Sequence, residues 1–205
     1  MDLVGDKWTL LIVRDLVGGP RRFVELQRTL PGISTEQLRS RLNRMVADGL
    51  LTRQRYREVP PRVDYELTER ARDLLPVIGA LARWGYQWAW TAPRAGEAVD
   101  IGAVLRSLPG LEAPKGLRGV TQLIVTRPDD EDRVYAVTAK KGAVTVQEEA
   151  LTDAPTTISG TEAAWVAALG PDEDRKGLKI AGDQAQANVL LDGLAPLHAR
   201  EAAVA

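Results

Sequence analysis

Arginine is concentrated in one stretch of this chain, and its side chain is well suited to binding phosphate groups and guanine bases. Residues 21–62 include 10 arginines and no lysine, against four acidic residues. A guanidinium can donate two parallel hydrogen bonds to a phosphate or to the edge of a guanine. The stretch therefore predicts contact with a nucleic acid, and the ordinary alternative is a solvated charged face.

The two halves of the chain differ in charge. The whole chain of 205 residues has a formal net charge of -1 at pH 7. Residues 1–92 contain 15 basic and 11 acidic residues, whereas residues 93–205 contain 12 basic and 17 acidic residues. The excess of positive charge lies in the half with the arginine-rich stretch, and the length is sufficient for two domains.

Side chains that could catalyse a reaction or hold a metal are few. The chain has no cysteine, which excludes disulfides, thiolate catalysis and cysteine-based zinc sites. Its one histidine, His198, lies in an alanine-rich tail that we expect to be poorly ordered. The acidic run Asp129–Asp132 lacks the ligand spacing of a calcium loop and is interpreted as a solvated hairpin tip. The motifs of phosphate-binding loops and serine nucleophiles are also missing, so we expect no enzymatic activity and no cofactor.

Membrane insertion and export are not indicated by the sequence. No apolar run approaches the ~18 residues that a membrane span needs, and no signal peptide opens the chain. We therefore expect a cytoplasmic protein with no membrane partner. The first helical pattern begins almost at Met1, so one or more helical turns are expected to precede this sequence.

Residues Ser34–Asp48 predict a short helix with one buried and one exposed face. The buried stripe consists of Leu38, Leu42, Met45 and Val46. Ser34 and Gln37 have the spacing of a capping box, which marks the start of the helix. A tight turn at Pro31-Gly32 joins it to a preceding short helix with the apolar positions Phe23, Leu26 and Leu30. Two short helices joined by a glycine-containing turn are typical of a helix-turn-helix.

A basic hairpin is predicted directly after this pair of helices. The segments Leu51–Arg57 and Val63–Leu67 alternate as half-buried strands do. Pro60-Pro61 between them cannot donate hydrogen bonds to a ladder and is interpreted as the hairpin tip. Arginines lie at positions 53, 55, 57 and 62, so the hairpin resembles a basic wing.

Longer helices are expected on both sides of these elements. Asp2–Val17 has helical spacing, and a second helix is predicted from Glu69 to about Trp90, capped by Thr68, with a kink or a local break at Pro76. Four large apolar residues share one face of the second helix: Val77, Leu81, Trp84 and Trp88. Exposed helices rarely carry such a face, so we expect a partner subunit to cover it. The second domain and an aromatic ligand are the alternatives.

Five motifs of the first half form a specific set: Gly5-Asp6-Lys7-Trp8, Arg22-Phe23, Pro31-Gly32-Ile33-Ser34, Pro60-Pro61 and Leu67-Thr68. With these motifs, residues 2 to about 85 resemble the HxlR-type transcriptional regulators, a winged-helix group. The resemblance implies a homodimer that binds a pseudo-palindromic operator in double-stranded DNA and dimerises through the first and last helices of the domain. The dimer contacts that it implies are Trp8, Leu11, Trp84 and Trp88. Cysteine-based sensing, which some members use, is not expected in a chain without cysteine.

The same resemblance places the Ser34–Asp48 helix in the major groove of DNA. The candidates for contacts to bases and nearby phosphates are Glu36, Gln37, Ser40, Asn43 and Arg44. The candidates for contacts to the phosphate backbone are Arg21, Arg22, Arg55, Arg57 and Arg62. Arg41 lies nearer the buried side of the helix, where a structural ion pair is at least as good an explanation as a phosphate contact.

The second half has a different character. A break at Thr91–Gly96 indicates a linker, placed at residues 93–97 between domains spanning residues 1–92 and 98–205. The elements expected after it are a helix at Ile101–Leu108, strands at Val120–Arg127, Arg133–Ala139 and Ala143–Glu148, a helix at Thr161–Leu169, a strand at Leu178–Asp183 and a last helix ending at Leu194. This order predicts an α+β fold rather than a parallel sheet.

Residues 156–169 (TTISGTEAAWVAAL) and 177–194 (GLKIAGDQAQANVLLDGL) resemble the sterol carrier protein type of lipid-binding domain. The resemblance implies a five-stranded sheet covered by helices, with an apolar tunnel for a ligand. The candidates for its lining are Ile124, Tyr135, Val137, Trp165 and Leu190, each of which is more often plain core.

Two classes of function fit the sequence. The first is a DNA-binding transcriptional regulator whose C-terminal domain binds an apolar ligand or adds dimer contacts. The second is a carrier of lipids or small apolar molecules whose winged helix binds another protein. The arginine-rich stretch favours the first class, because a protein-interaction module does not need so many phosphate donors. In that class, residues 81–90 are the candidate coupling between ligand and DNA.

Overall fold

The structure is a computed structural model that describes residues 3–57, 62–89, 91, 93, 99–110, 113–127, 130–170 and 172–194. It contains two compact units, Met1–Ile78 and Gly79–Ala205, each with its own hydrophobic core. The expected wing tip at Pro60-Pro61, Trp90, most of the linker and His198 lie outside the described residues. Among the helices that are described, none is long and apolar enough to cross a membrane.

The N-terminal unit is built from helices and a small antiparallel sheet. Its helices are α1 (Lys7–Leu16), α2 (Phe23–Thr29), α3 (Thr35–Ala47), α4 (Glu69–Arg72) and the start of α5 (Leu75–Ala89). Its strands are β1 (Arg21–Arg22), β2 (Leu51–Tyr56) and β3 (Arg62–Leu67), paired in the order β1-β3-β2. Helices that precede a strand hairpin form the predicted winged helix-turn-helix arrangement.

Helix α3 begins and ends as its sequence predicts. The Ser34 hydroxyl accepts a hydrogen bond from the Gln37 backbone N–H at 3.1 Å, and the Gln37 side chain accepts one from the Ser34 N–H at 3.1 Å. Leu38, Leu42 and Met45 are buried in the core of the unit. Gly49 follows the helix with φ of 71°, a left-handed conformation that glycine adopts without strain. The predicted capping box is thereby confirmed, and so is the buried stripe except at Val46, which is half-buried against the same core.

Three details of the N-terminal unit differ from the sequence-based predictions. Helix α1 begins at Lys7 and not at Asp2, because the Asp6 carboxylate accepts hydrogen bonds from the backbone N–H groups of Trp8 and Thr9 and so caps the helix. The long helix from Glu69 has the local break that was one of the two expectations, but the break follows Arg72 instead of lying at Pro76, which is in the first turn of α5, where a missing N–H costs little. Strand β2 is exposed beyond its first residue and is not half-buried.

The C-terminal unit contains a five-stranded sheet with helices. Its remaining helices are α6 (Ile101–Arg106), α7 (Glu162–Leu169) and α8 (Gln184–Leu194). Its strands are β4 (Gly119–Thr126), β5 (Arg133–Lys140), β6 (Ala143–Gln147), β7 (Thr156–Thr161) and β8 (Lys179–Gly182), in the order β6-β5-β4-β7-β8. The β4–β7 pair is parallel and the other pairs are antiparallel. The α+β architecture is confirmed.

One face of this sheet forms the core of the C-terminal unit. Tyr135 pairs with Leu123 and Val137 pairs with Val146, so these side chains point to the same side. The helices contribute Leu105, Trp165 and Leu190 to the same cluster. Trp165 also donates a hydrogen bond from Nε1 to the Ile124 carbonyl oxygen at 3.0 Å. The indole N–H, the one polar group of this large side chain, therefore has a partner inside the unit.

The expected apolar lining does not come together as one group. Tyr135, Val137, Trp165 and Leu190 are each 2% exposed or less and pack as core. Ile124 pairs with Val134 on the opposite face of the sheet, because successive residues of a strand alternate between its faces. We therefore correct the predicted five-residue lining: four of its members fill the core, and Ile124 faces away from it.

Candidate nucleic-acid interface

The outward face of α3 is polar and exposed. Glu36 is 80% exposed and Arg44 is 60% exposed, and the side chains of Gln37, Ser40 and Asn43 are exposed as well. Residues three and four positions apart lie next to one another on a helix, so these five form one continuous surface. All five predicted base-contact candidates are thus on the same side of α3, opposite its buried stripe.

Arg39 belongs to this surface although it was not among the predicted contacts. Its side chain is 59% exposed, and its Nη1 lies 3.1 Å from Glu36 Oε2. Arg39 is three residues after Glu36 and four before Asn43, a spacing that places it between them on the helix. That spacing could have been recognised in the sequence. Arg39 adds one more guanidinium to the exposed face.

Two side-chain contacts fix α3 against its neighbours. Gln27 in α2 donates from Nε2 to Thr35 Oγ1 at 2.8 Å, which connects the two helices of the helix-turn-helix. Arg41 Nη1 lies 3.1 Å from Asp6 Oδ2, the residue that caps α1. The structural ion pair considered for Arg41 is therefore present, and it holds the side of α3 that faces α1.

Asp6 serves two elements with one carboxylate. It accepts hydrogen bonds from the Thr9 hydroxyl at 2.5 Å and from two backbone N–H groups of α1, and it pairs with Arg41. Burial alone would raise the pKa of Asp6, but these hydrogen bonds and the Arg41 charge together lower it below its ordinary value of 3.8. The carboxylate is therefore ionised at neutral pH.

Replacing Asp6 with asparagine tests this connection. Asparagine keeps the capping oxygen and removes the charge, so we expect Asp6→Asn to lower the free energy of unfolding at pH 7 by about 0.5–1 kcal/mol. The pKa of Asp6 is lower in the folded than in the unfolded chain, so the ionised carboxylate stabilises the fold at pH values above the unfolded-state pKa of 3.8. This stabilisation is lost as the pH falls through the folded-state pKa of Asp6. Urea denaturation of both proteins should therefore show a difference at pH 7 that shrinks near pH 3.

The control for that measurement is Asp153→Asn, which removes an exposed carboxylate from the C-terminal unit. It should leave the unfolding of the N-terminal unit unchanged at both pH values. A stability difference between Asp6→Asn and the unchanged protein that stayed constant down to pH 2.5 would contradict the role given to the Asp6 charge.

The wing presents arginines on one face of β2 and just beyond it. Arg53, Arg55 and Arg57 occupy alternate positions, so their side chains point to the same side of the hairpin. All three are exposed. The sequence-predicted phosphate contacts Arg55 and Arg57 are therefore accessible, and Arg53 extends the row.

Arg62 is positioned by its neighbours in the hairpin. Its Nε lies 2.8 Å from both carboxylate oxygens of Asp64, and its guanidinium lies 5.4 Å from the centre of the Tyr56 ring. Asp64 is buried, so this pair compensates a carboxylate that would otherwise be costly to desolvate. Arg62 consequently braces the wing, whatever contacts it makes with a ligand.

The second predicted pair of phosphate contacts lies at the start of α2. Arg21 pairs with Tyr65 across β1 and β3 and is half-buried, whereas Arg22 is exposed. Arg22 is also the N-cap residue of α2, and its backbone N–H donates to Glu25 Oε2 at 2.6 Å. Strand β1 thus fixes the main chain at both arginines, and Arg22 is the more accessible of the two.

An exposed apolar face runs along α5. Trp84 is 60% exposed and Trp88 is 70% exposed, and Val77 and Leu81 of the same face are about half exposed. The opposite side of α5 is attached to its own unit through Tyr86, whose hydroxyl donates to the Leu169 carbonyl at 3.2 Å. In α1 the other two predicted dimer contacts, Trp8 and Leu11, are half-buried against the N-terminal core.

Comparison with known proteins identifies relatives of the first part of the chain. The family model of HxlR-like helix-turn-helix proteins matches residues 3–92. An uncharacterized HTH-type transcriptional regulator of Synechocystis sp. is 42% identical over 88 residues, which are 43% of this chain and 65% of that protein, slightly less than two thirds of its length. YkvN of Bacillus subtilis, also an uncharacterized HTH-type transcriptional regulator, is 38% identical over 43% of this chain and 75% of its own.

Two further similarities cover the same part of the chain. An uncharacterized HTH-type transcriptional regulator of Halalkalibacterium halodurans is 42% identical over 86 residues, which are 42% of this chain and 76% of that protein. The reduced form of the transcriptional regulator YodB from B. subtilis is 36% identical over 42% of this chain and 85% of that structure, with a TM-score of 0.39. The identity and coverage of the curated relatives show that the chain belongs to the HxlR family of helix-turn-helix transcriptional regulators.

Proposed function

We propose that this protein is a cytoplasmic homodimeric regulator that binds a pseudo-palindromic operator in double-stranded DNA. The exposed polar face of α3, flanked by exposed arginines of the wing, is the observation that carries the proposal. In helix-turn-helix proteins the second helix reads base edges in the major groove. Family membership supports the same role for α3.

The contacts divide by chemistry. Gln37, Ser40 and Asn43 are neutral hydrogen-bonding groups and are assigned to base edges, with Glu36 and Arg44 at the ends of the same face. Arg21, Arg22, Arg55 and Arg57 are assigned to phosphates, which supply most of the affinity and little of the sequence choice. Arg62 remains a candidate for a phosphate contact and also holds the wing through Asp64.

Dimerisation is assigned to α1 and α5, with Trp84 and Trp88 as the main contacts. Their exposure in the single chain supports this assignment, because large aromatic side chains gain most from being covered. A two-fold dimer presents its recognition helices to half-sites about 34 Å apart, one turn of DNA. Two copies of α3 are therefore needed for tight binding.

The C-terminal domain, residues 98–205, is assigned to ligand binding or to additional dimer contacts. Its five-stranded sheet with helices agrees with a domain of the sterol carrier protein type, although the predicted lining residues are mostly core. A ligand that altered α5 would alter the separation of the two α3 helices. In this way an apolar ligand would release or tighten DNA.

The double variant Arg55→Gln/Arg57→Gln tests the role of the wing. We expect weaker binding to every duplex, because phosphate contacts do not depend on sequence. Each lost phosphate contact makes the fall of log K with log salt less steep by about 0.9. A dimer that loses four contacts should therefore have a slope smaller in magnitude by about 3.6. Fluorescence anisotropy at several salt concentrations measures both effects.

The matched control is Arg118→Gln, which removes an exposed guanidinium from the C-terminal unit. Its salt slope should equal that of the unchanged protein. If the wing variant kept the full slope, the arginines of β2 would not contact DNA and the assignment of the wing would be abandoned.

A further inference from the structure

A cleft opens at one end of the sheet in the C-terminal unit, beside the core, against which its lining residues Val99 and Val166 also pack. Thr126 and Thr161 are register partners at the carboxyl ends of the parallel strands β4 and β7, and both line the cleft. Helix α7 begins directly after Thr161 and provides one wall. The volume of the cleft is about 620 Å³, within the range of small-molecule sites.

The wall of the cleft is aliphatic. Its apolar lining consists of Pro93, Val99, Ala163, Val166 and Ala167. Small side chains along α7 leave room for an alkyl group, and covering its methylenes stabilises the bound state. The apolar part of a fitting ligand is therefore an aliphatic chain or ring.

Charged groups at the rim give the cleft a preference for one sign of charge. Arg127 Nη1 lies 2.5 Å from Asp130 Oδ2, and Arg127 Nε lies 3.5 Å from Glu162 Oε1. Among the described lining residues, one guanidinium thus faces two carboxylates. Arg133, whose charge also lowers the pKa of Asp130, is itself paired with Asp100 at 3.3 Å, so the lining keeps one excess negative charge. Such a rim attracts a cation.

Two features argue against an anion at the start of α7. The Thr161 hydroxyl already accepts the Ala164 backbone N–H at 3.2 Å, and Glu162 places a carboxylate in the first turn. Asp130 is also well suited to remain charged, because the Glu131 backbone N–H and the Arg127 charge lower its pKa. Both carboxylates of the rim are therefore available as acceptors for an ammonium group, which has three N–H donors.

We propose that this cleft binds a small amphipathic amine. Its aliphatic part lies on Val99, Val166 and the alanines of α7, and its protonated amino group is bound by Asp130 and Glu162. This inference goes beyond the proposed function, since binding in the cleft does not require that the chain bind DNA.

Isothermal titration of the full chain, without DNA, with three probes of equal length tests the proposal. The probes are octylammonium, octanol and octanoate, which share one alkyl chain and differ in charge. We expect octylammonium to bind about tenfold more tightly than octanol, and octanoate to bind most weakly, because one opposite charge near a protein surface is worth about that factor. Octanoate binding as tightly as octylammonium would overturn the proposal, and so would the absence of binding by all three.

Two variants locate the site. Glu162→Gln removes the uncompensated charge, so the preference for octylammonium over octanol should fall to about one, whereas the control Glu149→Gln, at an exposed position elsewhere in the unit, should keep it. Ala167→Leu fills the apolar wall at an exposed helical position and should weaken all three probes. An unchanged preference in Glu162→Gln would show that the amine binds elsewhere. Because no DNA is present, failure of operator binding leaves these outcomes intact.

Discussion

Replacing Trp84 and Trp88 together with serine is expected to convert the protein from a dimer to a monomer. A dimer would cover four of these side chains, and covering a large apolar side chain contributes about 1.5–3 kcal/mol. Their exposed fractions of 60% and 70% leave most of that contribution to be gained on association. We expect the dimer dissociation constant to rise at least about a thousandfold, which corresponds to about 4 kcal/mol. Analytical ultracentrifugation over a range of protein concentrations measures the change.

Operator binding should weaken in the same variant. A monomer presents one copy of α3, so it makes half of the contacts with a two-fold operator. Val104→Ser is the matched control, because it removes an exposed apolar side chain from α6 instead of α5. Its dimer dissociation constant and its affinity for DNA should be unchanged. If the variant with serine at positions 84 and 88 kept the dimer dissociation constant of the unchanged protein, the interface would lie elsewhere.

Replacing Asn43 with alanine is expected to reduce sequence discrimination. Asn43 is exposed on the outward face of α3, and a bidentate contact to a base is worth about 1–3 kcal/mol. A dimer would lose two such contacts, so operator affinity should fall about 30-fold or more. Binding to a scrambled duplex should not change, because asparagine carries no charge. Competition between the two duplexes directly measures the ratio of the affinity for the operator to the affinity for the scrambled duplex.

The fold of the variant is not a concern, since alanine favours helix more than asparagine does. Gln147→Ala in β6 removes an exposed neutral amide far along the sequence from α3 and should leave the ratio unchanged. An unchanged ratio in Asn43→Ala would remove Asn43 from the base contacts. A fall in affinity for both duplexes alike would assign it to the phosphate backbone.

The local elements of the first half could be predicted because each has its own signal in the sequence. Ser34 and Gln37 mark the start of α3, and two short runs on either side of Pro60-Pro61 mark the hairpin strands β2 and β3, although the burial of β2 does not alternate. Strand β1 has only two residues and shows no periodicity. Its pairing with Tyr65 could therefore not be predicted from the sequence and is seen only in the folded chain. The same holds for the ion pair of Arg41 with Asp6, whose partners are 35 positions apart in the printed sequence.

The second half was harder to predict in detail. Four of the five strands were placed correctly, and β7 (Thr156–Thr161) was missed. The face to which each side chain points depends on register, and one residue of difference reverses it. Ile124 was therefore assigned to the wrong face of the sheet, whereas its neighbour Leu123 is buried in the core. The cleft depends on the parallel pairing of Thr126 with Thr161, and a sequence pattern does not reveal which strands become neighbours.

The most direct test of the central claim is fluorescence anisotropy of this protein with the DNA upstream of its own gene, titrated with salt. A scrambled duplex of the same composition is the comparison. The account predicts that the upstream duplex binds more tightly than the scrambled one at every salt concentration, and that affinity falls steeply with salt. Equal and weak binding to both duplexes would contradict it, because charge attraction alone would then explain the contact.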